Sequence, residues 1–211
     1  CNRMERRMVG ISQKRYLVQE LNPELLSSTF KIQTNWHVIT GAPCSGKTTL
    51  IDQLSRIGHP TANETAREYF EIEMAKGRTS QEIRESGHPT QMGIFGMQQR
   101  LENELRPEEV IFLDRALPDS LTFHRVFGLH PDQLLLECFK HRYASVFVLD
   151  RLPFAREVQL GPEDEITARF IDKWLELDYA AMGYHVVRVP VSPPHERLSF
   201  VLKTISELFQ S

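Results

Sequence analysis

The chain has 211 residues, 41% of them hydrophobic, a size that suits one well-cored α/β domain with appendages rather than two full domains. Lys and Arg number 25 against 28 Asp and Glu, a formal charge of −3, so no overall field draws nucleic acid or an anionic membrane, and phosphate binding has to be local. No apolar run approaches the roughly 20 residues of a membrane span and no secretory signal opens the chain, so a cytoplasmic, reducing compartment is expected.

Residues 1–35 stand apart. They are weakly periodic and locally basic, with Arg3, Arg6, Arg7, Lys14, Arg15 and Lys31 against Glu5, Glu20 and Glu24. They read as an N-terminal arm that packs on the main domain or pairs at its edge; a protein partner held through this arm is the second reading. Cys1, rather than Met, opens the chain, which leaves open both a start at Met4 and a trimmed chain. Cys1, Cys44 and Cys138 have an odd count and no metal-type spacing, which argues against a zinc site or a disulfide framework.

The main domain is expected over residues 36–211. "WHVIT" (Trp36 to Thr40) is a strand that stops at Gly41, and from Gly46 the apolar positions Leu50, Ile51, Leu54 and Ile57 recur at helical spacing until Gly58 and Pro60 end the helix. Between them "GAPCSGKT" fits G-x-x-x-x-G-K-[ST] in full, in the strand-loop-helix context that confirms a phosphate loop. Gly41 and Gly46 permit the angles that turn successive N–H groups around a phosphate, and the helix start favours the anion. Lys47 reaches the β- and γ-phosphates and Thr48 offers its hydroxyl to magnesium, while Ala42, Pro43, Cys44, Ser45 and Thr49 complete the nucleotide contact. ATP and Mg2+ are the expected cofactors, with adenine favoured because no N/T-K-x-D guanine loop is evident.

"HPTANE" adds a short strand before Glu64. That carboxylate has two readings, a base for an acceptor hydroxyl, with Arg67 on the same helical face, or a helix start stabilised by Asn63 or Glu64. The polar stretch Lys76 to Thr90 is either an acceptor wall or a surface loop, with a short surface helix in "SQEIRE". Ile94, Met97, Leu101 and Leu105 form a helical stripe assigned to the core. "VIFLD" (Val110 to Asp114) and "SVFVLD" (Ser145 to Asp150) read as buried parallel strands, and so does "YHVVRVP" (Tyr184 to Pro190), for a sheet of about five. Asp114, at a strand's carboxyl end, is the first choice for holding magnesium with Thr48, and Asp150 the second. Ile166, Phe170, Trp174, Leu177 and Ala181 make a further stripe assigned to the core. So do Leu198, Val201, Leu202, Ile205, Leu208 and Phe209, with Glu196, Arg197, Lys203 and Glu207 on other faces.

The order "GAPCSGKTTL", "NETAREYFE", "VIFLDRALPDS" and an arginine-bearing segment before "FIDKW" resembles a family of small AAA-type P-loop proteins allied to nucleoside and nucleotide kinases. It is also similar to the nicotinamide-riboside kinase domain of bacterial NAD regulators. The likeness spans about residues 36–205. It implies a three-layer fold with a five-stranded parallel sheet and a lid, here residues 150–170. It also implies that Lys47 and Thr48 bind ATP and magnesium, that Glu64 is the base or acceptor contact, and that Asp114 and Arg115 flank the transferred phosphate. Arg151, Arg156 and Arg169 are the lid cations, with Arg156 assigned to the catalytic set. The acidic run "GPEDE" (Gly161 to Glu165) is expected to face solvent and cap a helix from Ile166. The resulting expectation is transfer of the γ-phosphate of ATP to a small nucleoside- or nucleotide-like acceptor; the alternative is an ATP- or GTP-hydrolysing regulatory module acting on a protein partner.

Overall fold

Continuous apolar runs become the strands of one parallel sheet. The computed structural model describes residues 16–153 and 162–208. Its elements are α1 (Pro23–Leu26), β1 (Ile32–Gln33), β2 (Trp36–Thr40), α2 (Lys47–Arg56), β3 (Thr61–Ala62), α3 (Thr65–Ala75), α4 (Ser80–Glu85) and α5 (His88–Glu104), followed by β4 (Ile111–Asp114), α6 (Asp119–Val126), α7 (Asp132–Cys138), β5 (His141–Arg142), β6 (Ser145–Leu149), α8 (Pro162–Ala181), β7 (Val186–Val189) and α9 (Pro194–Leu208).

The sheet has five parallel strands in the order β3-β4-β2-β6-β7. Every residue of β2, β4 and β6 is buried, because helices cover both faces. Successive side chains therefore divide between two cores. Val38, Leu113 and Val148 pack with Leu121, Leu135 and Tyr179 on one face, and Ile39, Phe112 and Phe147 pack with Leu50, Leu54 and Val201 on the other. From β2 the chain runs to β3 and back to β4 on one side and then crosses to β6 and β7 on the other, so the crevice at the carboxyl end of β2 is where such a sheet receives a ligand. Residues 41–46 lie there.

Residues 16–35 pack on this body. The Tyr16 ring stacks on Phe170 at 4.6 Å and its hydroxyl is 2.6 Å from Thr167 Oγ1. Leu17 N–H donates to Arg125 O, Leu21 is buried, and β1 pairs in parallel with β5 as a separate two-stranded ribbon. The pin is Arg125, which donates to the carbonyl of Gln19, lies 3.9 Å over the Trp174 ring and forks onto Asp178 at 2.9 and 3.2 Å. Both partners are fully buried, so breaking the pair strands a charge. Asp178→Ala is expected to cost about 3–5 kcal/mol, read as a drop in the urea midpoint at unchanged m-value.

Three assignments of faces need correction. On α8, Trp174 is buried and Phe170 packs half-buried on the core as expected, but Ile166 and Leu177 are 58% and 42% exposed and Ala181 is exposed. The buried line is Ala168, Ile171, Leu175, Asp178 and Met182, rotated so that Asp178 meets Arg125. Along α5, Leu101 and, just past its end, Leu105 pack half-buried against the core as expected, Ile94 and Met97 are half-buried, and the fully buried line is Gln91, Phe95, Gln98 and Glu102. On α9, Arg197 lies inward, buried, because three backbone carbonyls surround its guanidinium. Phe209, Cys1 and Arg156 lie outside the described residues, as do residues 1–15 of the arm and 154–161 of the lid. Among the described residues no helix is long and apolar enough to cross a membrane.

Candidate nucleotide and acceptor site

The loop after β2 depends on two glycines. At Gly41 (φ +153°) a Cβ would stand 2.8 Å from Ser45 Oγ and 2.9 Å from Leu149 O, so no side chain fits between the loop and β6. Gly46 caps α2 with φ +85°, a left-handed angle that turns its N–H into the loop. The concavity is held from outside: Leu152 N–H donates to Cys44 O at 3.0 Å, and Arg197 donates to the carbonyls of Ser45, Asp150 (2.9 Å) and Pro190 (3.0 Å). One buried guanidinium thus ties the loop to the ends of β6 and β7. Cys44 is exposed, with φ +61°, and supplies backbone to the loop.

Lys47 opens α2 with only 8% of its surface exposed. Burial, with Arg115 adding repulsion, lowers its pKa to about 8, against the pull of Asp114, Glu64 and Asp119. Asp114 ends β4 beside Ile39. Burial and the nearby Glu64 raise its pKa to about 6, and its Oδ1 is buried without a hydrogen-bond partner among the described residues. The folded protein binds the Asp114 proton more tightly than the unfolded chain, so this group lowers stability progressively as pH rises from about 4 to about 6. Asp114→Asn is expected to stabilise the free protein at pH 7 by about 1–3 kcal/mol while removing magnesium-dependent nucleotide binding, both measurable by melting with and without Mg·ATP.

Glu64 precedes α3, and its side chain makes no capping bond; it accepts from Arg115 Nε at 2.7 Å instead. Glu64 thus stands at the N-cap position while its carboxylate is held by Arg115 rather than by the helix. Burial opposes its charge, but Arg115 and Lys47 outweigh this and hold its carboxyl below the usual range, so it is ionised at neutral pH. Arg115 has the left-handed φ of +72°, which turns its side chain back from β4 across Phe123, 4.7 Å beneath it. Its other carboxylate is Asp119, at 3.7 Å. Asp119 is caged by the hydroxyl of Thr40, by Ala116 N–H at 3.2 Å and by Tyr179 O–H at 2.6 Å, so it anchors Arg115 to the sheet.

Three hollows meet around these groups. Beside the loop, about 530 Å3 is enclosed by Gly46, Thr49, Leu50, Leu152, Pro193 and Arg197, a largely apolar slot able to take a base. A cleft lined by Thr48, Asp52, Glu64, Arg67 and Asp114 runs along the loop's other side. Beyond it a cavity of about 230 Å3 is walled by Glu64, Phe70, Gln91, Arg115, Asp119 and Phe123. Glu64 lines both the cleft and this cavity.

The described part of the lid is arranged unlike the expectation. α8 begins at Pro162, so the acidic run lies within it rather than capping a helix from Ile166. Glu165 accepts from Arg151 at 3.0 and 2.7 Å and from Arg169 at 2.9 Å; those bonds, led by Arg151, pull its pKa down to about 2. Both described lid cations are thereby paired with Glu165. Asp150, the second choice for magnesium, is bound by Arg188 Nε at 2.9 Å.

The family model for an AAA domain matches residues 36–197, most of the chain and all of the geometry above. The chain belongs to this AAA domain family. No curated protein matches its sequence. Among solved structures, this AAA domain is similar to a NadR protein in complex with NR, at 19% identity and a TM-score of 0.61, covering 84% of this chain and 52% of that one. It therefore spans about half the length of the NadR chain. It is also similar to deoxyadenosine kinase from M. mycoides, solved with products dCMP and a flexible dCDP (15% identity, TM-score 0.55, covering 82% of this chain and 99% of that one). Thymidylate kinase from Candida albicans matches at 14% identity and a TM-score of 0.53, covering 82% and 92%. At these identities the likeness shows the fold, that of the P-loop nucleoside and nucleotide kinases.

Asp119, Gln91, Gln98 and Arg197 of this AAA domain were not read from the sequence as site residues. For Asp119 a signal existed in the carboxylate four residues after Arg115. Polar Gln91, Gln98 and Glu102 at helical spacing could also have been noticed. Nothing local marked Arg197, whose partners are carbonyls of segments distant in sequence.

Proposed function

We propose that this chain transfers the γ-phosphate of ATP to a small nucleoside- or nucleotide-like acceptor. The observation that carries the reading is the position of Glu64 on the wall shared by the acceptor-sized cavity and the cleft of Thr48 and Asp114. The base of ATP fits the apolar slot beside Gly46, and its phosphates fit the turned N–H groups of residues 41–48 with Lys47 at the β- and γ-positions. Magnesium suits the pair of Thr48 and Asp114, since the buried Oδ1 of Asp114 lacks a partner among the described residues; held there, the ion would offset phosphate charge.

An acceptor hydroxyl entering from the cavity meets ionised Glu64, which takes its proton as the oxygen bonds to the γ-phosphorus and the bond to the β-phosphate oxygen breaks, releasing ADP. Arg115, fixed by Glu64 and Asp119, orients that carboxylate and stands beside the transferred group. Arg156, outside the described residues, is the remaining member of the proposed set, since Arg151 and Arg169 are paired with Glu165. A cytoplasmic setting accompanies this reading, with Cys44 and Cys138 as free thiols. The NR bound to NadR and the dCMP and dCDP bound to the deoxyadenosine kinase support an acceptor of this kind.

An acceptor screen that follows ADP release tests the proposal. A nucleoside, nucleotide or riboside is expected to raise turnover at least about tenfold over the water background. Turnover indifferent to every acceptor would sink phosphotransfer and leave the hydrolytic module.

A further inference from the structure

We infer that Arg197 is a positioning residue that couples the base slot to the phosphate loop, so that a donor's base, remote from the bond that breaks, tightens the grip on its phosphates. The inference rests on the reading of that slot as the seat of the base of ATP.

Arg197 lies in the first turn of α9 and is 4% exposed. Its guanidinium donates to backbone carbonyls in three separate segments: Ser45 within the loop, Asp150 at 2.9 Å just past β6, and Pro190 at 3.0 Å just past β7. It makes no ion pair among the described residues, whereas the buried Arg125 forks onto Asp178. Burial works against the charge of Arg197, and the carboxylate acting in its favour, that of Asp150, is itself bound by Arg188. A buried cation met only by carbonyls is costly to keep for packing alone. What its planar fork supplies is a fixed spacing between the three segments.

The same three segments enclose the base slot. Gly46 follows Ser45, Leu152 lies just beyond Asp150, and Val191 to Pro194 follow Pro190; all of them, with Arg197 itself, line the hollow of about 530 Å3. A second tie runs beside the first. Leu152 donates its N–H to Cys44 O at 3.0 Å, and its side chain stands 3.4 Å from where a Cβ on Gly46 would be; Arg197 Nη1 stands 3.3 Å from the same point. The back of the loop therefore rests on two residues that are also walls of the slot. Gln53, another wall residue, has a buried Oε1 without a partner among the described residues, an acceptor that an N–H of the base can satisfy. A base that fills the slot packs against Leu152 and Arg197 and restricts their motion, which holds the carbonyls of Cys44 and Ser45 more firmly and keeps the loop shaped for phosphate. Binding energy from the non-reacting end of the donor is thereby delivered to the end that reacts.

The two ends of the donor, offered as separate molecules, decide the matter. Binding of magnesium tripolyphosphate is measured by calorimetry with and without saturating adenine, which has no hydroxyl to accept a phosphate. Adenine is expected to tighten tripolyphosphate at least about fivefold, and tripolyphosphate to tighten adenine by the same factor. In Arg197→Lys, which keeps a charge but cannot span three carbonyls, the factor is expected to fall below about twofold. A group that only braced the fold would weaken tripolyphosphate equally with and without adenine. A smaller effect of adenine on the unmodified protein would overturn the inference and leave the phosphate loop and phosphotransfer standing, whereas tripolyphosphate that does not bind at all would overturn the loop assignment as well. A factor that persists in Arg197→Lys would overturn the role of Arg197. Should that variant fail to fold, the Nε–H resonance of Arg197 in the unmodified protein decides. Adenine is expected to slow its exchange with solvent at least about tenfold, and an unchanged rate would overturn the coupling.

Discussion

Lys47→Ala is expected to lower kcat/KM for ATP at least about 10³-fold, a loss of about 4 kcal/mol of transition-state stabilisation, and to abolish measurable binding of a non-hydrolysable ATP analogue. The magnitude follows from where the ammonium sits. Lys47 starts α2, almost wholly buried, next to the loop, and the other described cations around it are committed elsewhere, Arg197 to the carbonyls of Ser45, Asp150 and Pro190. Arg115 is committed to Glu64 and Asp119, and Arg151 and Arg169 to Glu165. The fold is expected to survive the change. Burial has already lowered the pKa of Lys47 to about 8, which means that the free protein holds this charge at a cost that the acidic neighbours only partly offset. The variant should therefore melt within a few degrees of the parent, which separates lost binding from lost structure. Near-normal affinity for the analogue would refute the phosphate-loop assignment.

The contrast between what could and could not be read from the chain follows a physical line. The loop at 41–48 was legible because its backbone demands particular residue types in a row, and β2, β4 and β6 were legible because strands covered on both faces are continuously apolar. The helices misled where burial is not apolar. On α5 the hydrophobic period selects Ile94 and Leu101, but the inward line is Gln91, Phe95, Gln98 and Glu102. There Gln98, Leu117 N–H and Tyr143 O–H converge on the fully buried carboxylate of Glu102. On α8 the inward line includes Asp178 for the sake of Arg125. A helix face that buries polar groups against partners distant in sequence cannot be found by a pattern that scores apolar residues. The lid shows the same limit: whether Arg151 and Arg169 face a phosphate or an acid depends on Glu165, which stands close to both only once α8 starts at Pro162.

Glu64→Gln is expected to reduce acceptor-dependent kcat by about 10²–10⁴ while leaving affinity for the ATP analogue within about threefold of the parent. The substitution keeps the side chain's shape and keeps one oxygen facing Arg115 Nε, so the 2.7 Å contact can persist while the charge that accepts a proton is lost. Two controls give the result its meaning. Asp119→Asn should lower kcat less, because Asp119 acts on the acceptor only by fixing Arg115 through the cage of Thr40, Ala116 and Tyr179. Asn63→Ala, next to Glu64 but outside the Arg115 contact, should leave kcat within about threefold, as the rival view of this segment as a simple helix start would not predict for Glu64 itself. If Glu64→Gln also keeps kcat within about threefold, the proton must leave by another route and Glu64 serves only to hold Arg115. The shared wall between cleft and cavity would then be structural, and the reading of this chain as a phosphotransferase would lose the observation on which it stands.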